Sequence, residues 1–184
     1  MKIISTILLF ITFGTAIEAA TVQDIYRMYR NGEYKNACRT GLRIFNQNKK
    51  NSRFLMLYGL SCLKADYIDR LAVPMTGLRN TKTERANASY FATILLQKKL
   101  LYHALVDHVD ISHLRLPTTD YILSKIFDMY TKGNYRKVDG RYIFEPANGK
   151  GLYYVLYVEY GRGAPKMIIE ERVNDHIIKT HRYW

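Results

Sequence analysis

The stretch Asn31–Phe45, NGEYKNACRTGLRIF, sets a glycine ahead of a run in which small and apolar residues recur at helical spacing. Ala37, Cys38, Gly41, Leu42 and Phe45 fall on one side of a helix expected over Glu33–Phe45, the stripe that such an element buries. Small side chains at Ala37 and Gly41 let a neighbouring helix approach closely. Lys35, Arg39 and Arg43 recur every four residues on the face expected to point away from Cys38 and Leu42, and none has an acid at four-residue spacing to pair with. Two readings of that face compete: a solvated surface, or an anion-attracting one joined by Arg27, Arg30, Lys49, Lys50 and Arg53 and suited to an acidic protein or anionic lipid.

The next helix is expected over Phe54–Lys64. Leu57, Tyr58, Gly59, Leu60 and Ser61 leave it few polar positions, which places it inside the assembly. It carries Cys62, the partner in composition of Cys38, and the chain has two cysteines only. A disulfide between them is the economical reading, worth about 3 kcal/mol in the chain-entropy account; two buried free thiols are the competing one.

The spacing of Gly32, Tyr34 and Ala37, with Tyr58, Gly59 and Cys62 in a following unit of 34 residues and Ala65, Tyr67 and Ala72 after them, resembles the tetratricopeptide repeat. A third unit falls on NASYFATILLQKKLLYHAL, with a turn expected near Gln97–Lys99 and Ala104 in the alanine place. The resemblance covers residues 22–105. It implies stacked helical hairpins with a concave groove that takes a protein partner, lined here by Arg27, Met28, Tyr58 and Lys64.

The first twenty residues, MKIISTILLFITFGTAIEAA, read as a secretory signal: Lys2 starts it, Ile3–Phe13 form its apolar core, and small residues at Ala19 and Ala20 suit cleavage. A retained N-terminal anchor is the alternative, although the apolar run is short of the roughly 20 residues a membrane helix needs. Export implies the periplasm or another oxidising compartment, where cysteine pairing is expected. The chain carries a net charge of +12. Thr21–Pro117 has 16 basic against 7 acidic residues and Thr118–Trp184 has 11 against 8, so most of the excess lies in the helical part. Export and the want of a recognised motif disfavour nucleic acid as its partner.

At Pro117 the pattern changes. Thr118 or Thr119 is positioned to cap a helix running to about Thr131, which Gly133 ends. Beyond it RYIFE, LYYVLYVEY, KMIIEERV and HIIKTHRYW alternate with turn-formers, and Asn174–Asp175 reads as a tight hairpin turn. The expected class is α+β, with a signal at 1–20, a tetratricopeptide-like array at 21–116, and a helix plus a four-stranded antiparallel meander at 117–184. A sheet edge is open to a partner strand, or blunted by Arg172, Lys179 and Arg182. Trp184 is expected to close a core.

For chemistry, His103, Asp107, His108 and His113 offer a metal-site alternative within eleven residues, at a spacing that matches no familiar ligand set. His176 and His181, five apart in one strand, are expected on opposite faces. No nucleophile elbow or phosphate-binding glycine loop occurs, and nothing calls for a cofactor. The functional expectation is an exported, non-enzymatic scaffold or adaptor for a protein partner in the cell envelope, with envelope complex assembly as the process it would serve. A small envelope enzyme or metal-dependent factor and a basic-face binder of anionic lipid are the alternatives.

Overall fold

A computed structural model describes residues 20–145 and 151–184. The signal expected at residues 1–20 lies outside the described residues except for Ala20, as does most of the PANGKG turn. Helices α1 (Val22–Arg30) and α2 (Tyr34–Arg43), a short α3 (Phe45–Asn48) and α4 (Ser52–Lys64) are followed by a 3-10 turn, Ile68–Leu71. Then come α5 (Ala72–Gly77), α6 (Lys82–Val106) and α7 (Ile122–Thr131). Strands β1 (Arg136–Val138), β2 (Arg141–Phe144), β3 (Leu152–Glu159), β4 (Lys166–Val173) and β5 (His176–Tyr183) complete the chain.

Local chemistry accounts for the element ends. Thr21, Asn51 and Thr81 cap α1, α4 and α6 by accepting a hydrogen bond from a backbone N–H of the first turn. At α6 the Glu84 carboxylate reaches back to accept from the N–H groups of Arg79 and Asn80 at 3.2 and 2.9 Å. The cap expected for α7 is different: Tyr121 holds the N-cap place without a side-chain bond, and Thr119 instead exchanges bonds with Tyr121 and Ser124.

Inside, α2 lies on α4 and α4 on α6 with glycines at the closest approaches. A Cβ on Gly41 would stand 2.5 Å from Tyr58 Cδ2, and one on Gly59 would stand 2.5 Å from Phe91 Cε2. Tyr58 stacks on Phe54 at 5.9 Å. Cys38 and Cys62 are fully buried here and form a disulfide across the α2–α4 contact. Leu42, expected inward, is 50% exposed, because the buried stripe of α2 runs through Ala37, Cys38, Thr40 and Gly41 and Leu42 stands to one side of it.

Two expectations are corrected. No turn occurs near Gln97–Lys99: α6 is one helix of 25 residues, and Gln97 and Lys98 are buried in it. Gln, Lys and Leu are good helix formers, and no glycine or proline is present to break the run. The sheet is also not a four-stranded meander. Among the described residues it has five antiparallel strands in the order β1-β2-β3-β4-β5, although the α+β class holds. The additional strand is short and exposed, with no apolar alternation to reveal it. Its turn is Asp139–Gly140, both at positive φ (48° and 76°), the geometry of a two-residue hairpin. The Asn174–Asp175 turn has the same form, at 46° and 67°.

One face of the sheet, carrying Phe144, Tyr154, Leu156, Met167, Ile169 and Tyr183, joins the helices in a single buried cluster that begins at Ile25. On the other face Val155 and Ile168 are buried as well. Their cover comes from long neighbours: Tyr157 lies across from Ile168 and bonds Glu170, Arg172 pairs with Glu170 at 2.7 Å, and Arg141 lies over the Tyr157 ring. Stems of Arg and rings of Tyr cover apolar surface while their polar ends stay wet.

Candidate functional site

The junction of helices and sheet is organised by Asp66. It follows α4 at φ 63°, where helix ends usually place glycine. The Asp66 and Tyr67 N–H groups bond back to the carbonyls of Leu63 and Cys62, the same closing pattern that Gly32 makes after α1 at φ 77°. An aspartate in this left-handed conformation costs something like 1 kcal/mol or more relative to glycine. The return is the direction of its carboxylate.

Asp66 Oδ1 meets His181 Nδ1 at 2.8 Å, and the other ring nitrogen, Nε2, meets Glu171 Oε1 at 2.9 Å. Tyr121 donates to Asp66 Oδ1 at 2.5 Å and lies 3.2 Å from the Tyr183 hydroxyl. His181 is 1% exposed and stacks against Tyr183. A doubly protonated ring satisfies both carboxylates with two donors, whereas a neutral ring satisfies one. Burial, then the Asp66 charge and its hydrogen bond, pushes the Tyr121 hydroxyl well above its ordinary value. Burial does the same to Tyr183, ahead of the Tyr121 and Asp66 charges. These groups therefore act as donors and not as phenolates. The network ties α4 and α7 to β4 and β5.

Beside it opens a cleft of about 400 Å³, lined by Arg39, Asp66, Tyr67, Ile68, Asp69, Arg70, Lys98, Arg182, Tyr183 and Trp184. Arg70 lies over the Tyr67 ring, 4.8 Å from its centroid, and its Nη1 donates to Cys38 Sγ at 3.4 Å. Arg39 Nη2 donates to the Tyr67 hydroxyl at 3.4 Å. Two guanidiniums thus bracket one phenol ring. The aspartates of the cleft are already engaged: Asp66 with His181, and Asp69 with Lys98 at 2.9 Å and Lys99 at 2.6 Å. Among the described residues Arg39, Arg70 and Arg182 have no carboxylate within ion-pair distance.

Lys98 closes one end. It is 1% exposed, donates to the main-chain oxygen of Trp184, and so fastens the end of β5 to α6. Burial pulls its ammonium below the ordinary lysine value against the opposing pull of Asp69. Burial pushes Asp69 the other way, up, but the hydrogen bonds from Lys99 and Lys98 outweigh it and hold the carboxyl below its usual value. Trp184, expected to close a core, is 55% exposed at the cleft.

The residues singled out from the sequence are dispersed. Arg27 is exposed and pairs with Asp24, and Met28 lies half-buried with Asn36, Arg39, Leu42 and Arg43 around a shallow cavity. Tyr58 is 2% exposed inside the core, and Lys64 is exposed on the far side of Asp66. These four do not share one surface. Of the basic row, Lys35 is exposed, Arg43 bonds Thr40, Arg39 reaches the cleft, and exposed Leu42 lies among them. His103 and Asp107 stand 3.8 Å apart at the end of α6, while His108 and His113 are exposed and do not join them. Among the described residues no group of three or more His, Cys, Asp or Glu is arranged to hold a metal. His176 and His181 lie on the same sheet face, because the bulge at Ile178 resets the alternation of β5: they pair with Val173 and Ile169.

No family model, no curated protein and no solved structure matches the chain. Its function is therefore read from this cleft. Asp66, Tyr67, Arg70, Lys98 and His181 were missed as a set by the sequence reading. One signal was present: Asp66 stands 34 residues after Gly32, where the first hairpin has its glycine.

Proposed function

We propose that this protein is an exported, non-enzymatic adaptor whose tetratricopeptide-like helices hold an acidic segment of a partner protein in the cell envelope. The single observation that carries the reading is the pair of guanidiniums at Arg39 and Arg70 around Tyr67, left without carboxylates while Asp66 and Asp69 are consumed elsewhere. Arginine offers a planar fork of donors suited to a carboxylate, and a half-desolvated cleft strengthens such a bond. Export is supported by the Cys38–Cys62 disulfide, which persists in oxidising compartments. Among the described residues no helix is long and apolar enough to cross a membrane. The adaptor role, and not catalysis, is favoured by the network beside the cleft: His181 is buried and both its nitrogens are occupied, so it has no free position from which to move a substrate proton.

The test is crosslinking and capture from the native envelope fraction with the wild-type protein and the double variant Arg39→Glu/Arg70→Glu. A partner held by its acidic segment is lost from the variant and regained when that segment's acids are exchanged for lysines. Capture that is indifferent to both changes overturns the reading. Salt-sensitive association with vesicles of anionic lipid, equal in strength to any protein capture, would instead support the lipid alternative.

A further inference from the structure

The cleft is one of two cavities beside the Asp66–His181 network. On the other side a cavity of about 220 Å³ is lined by Lys64, Lys125 and Lys179 together with Asp66, Asp120, Tyr121, Glu171 and His181. These three lysines are exposed, and among the described residues none has a carboxylate within ion-pair distance. Strand β5 runs from one cavity to the other. Lys179 lies at the lysine cavity, and Arg182, Tyr183 and Trp184 lie at the arginine cleft.

β5 is also the edge of the sheet, paired to β4 alone. Beyond that ladder, no backbone–backbone hydrogen bond of the described residues engages its strand. Past the bulge at Ile178 the stretch Lys179–Tyr183 is in regular register with Met167–Glu171, so its outer N–H and C=O groups form a straight template of about 16 Å at the usual rise. Exposed Ile177 and Ile178 flank it at one end and exposed Trp184 at the other.

The charges choose the occupant. His176–Tyr183 contains no acidic residue, and a second copy laid against this edge would bring Lys179 and Arg182 of both chains together. An acidic chain laid along β5 meets Lys179 and Arg182, neither of which has a carboxylate within ion-pair distance among the described residues. We propose that the partner segment binds in extended form as a sixth strand on β5, with two acidic side chains three residues apart, one beside Lys179 on the face that packs on the helices and the other beside Arg182 on the opposite face. Three residues span about 10 Å, and the odd spacing puts the two acids on opposite faces of the added strand, as Lys179 and Arg182 are on β5. Main-chain bonds supply the affinity and the acid spacing the selectivity, the mode of recognition known as β-augmentation. This inference rests on the acidic-partner reading and adds the conformation and spacing of what is bound.

The test uses the purified protein, whose one tryptophan, Trp184, reports at the cleft. The probe is a short blocked peptide of Thr and Val carrying two glutamates three positions apart, titrated at low salt. Two further versions are N-methylated, each on one of the two alternating sets of amides. A strand bonded along one edge needs one set and not the other. The expected result is a change in Trp184 emission on binding, at least a tenfold loss of affinity for one methylated version, and affinity near that of the parent for the other. Moving the glutamates to adjacent positions should weaken binding several-fold. Equal binding of all versions overturns strand addition, and so does absence of binding by the parent peptide. Concentration-dependent dimerisation abolished by Thr180→Pro would overturn it in favour of a second copy. The parent reading is tested separately by Arg39→Glu/Arg70→Glu: methylation-sensitive binding that survives this variant refutes the arginine cleft as the anion site and leaves strand addition standing.

Discussion

Substitution of His181 by alanine removes the ring that stands between Asp66 and Glu171 at 2.8 and 2.9 Å. A hydrogen bond from a ring N–H to a carboxylate contributes about 1.5–3 kcal/mol. That gain is reduced because burying the ring costs hydration, and the Asp66 and Glu171 side chains keep 19% and 22% of their surface in water. Removing one partner also leaves two carboxylates facing each other across a small cavity. The net expected loss is roughly 3 kcal/mol, in the range seen when a buried pair is broken. Urea denaturation should show this as a lower midpoint at unchanged slope. In a cycle with Asp66→Asn the two substitutions should be sub-additive, with a coupling of about 1–3 kcal/mol. A loss below about 1 kcal/mol, or strict additivity with Asp66→Asn, refutes the claim that this network joins the helices to the sheet.

Four further outcomes follow from the packing and the charges. Replacing both Cys38 and Cys62 by alanine opens a link between residues separated by 24 positions, and the chain-entropy account gives a loss of about 3.5 kcal/mol, measurable against the disulfide-bonded wild type by the same denaturation. Gly59→Ala should cost about 1–3 kcal/mol, since its Cβ would lie 2.5 Å from the Phe91 ring, while Gly133→Ala, with open space around its Cβ, should cost only the strain of positive φ; equal losses would contradict the packing account. Asp69 titrates below its usual value in the folded chain, so its pairing with Lys98 and Lys99 stabilises the fold above about pH 4 and is lost as pH falls through the lower folded value. Asp69→Asn should therefore flatten the acid limb of a stability–pH curve, and an unchanged limb would remove Asp69 from the account. Lys98→Met should loosen the end of β5, read as faster amide exchange at Tyr183 and Trp184 than in the wild type.

The amino-acid order alone determines the local half of this molecule. The Asn174–Asp175 turn and most of the α2 stripe depend on neighbours a few residues away and were legible; the caps at Thr21, Asn51 and Thr81 are equally local but were not read, and the cap expected at Thr118 or Thr119 and the inward place of Leu42 did not hold. The disulfide was legible for the same kind of reason: two cysteines on helices expected to touch. Where local signals were absent the reading slipped. β1 is too short and polar to announce itself, α6 carries no residue that would mark or deny a break, and the bulge at Ile178 shifts side chains without any glycine to signal it.

The site is a different case. Asp66 and His181 are 115 residues apart, Lys98 and Trp184 are 86 apart, and Arg39 and Tyr67 are 28 apart. Each of these side chains is individually unremarkable, an acid after a helix or a histidine in a strand. What gives them meaning is the burial of the helix–sheet junction, where low dielectric makes an unpaired charge costly and so dictates which groups must meet. The sequence supplied the charges, but only the folding of the sheet against α4, α6 and α7 decided which of them are neutralised and which arginines are left facing a cleft.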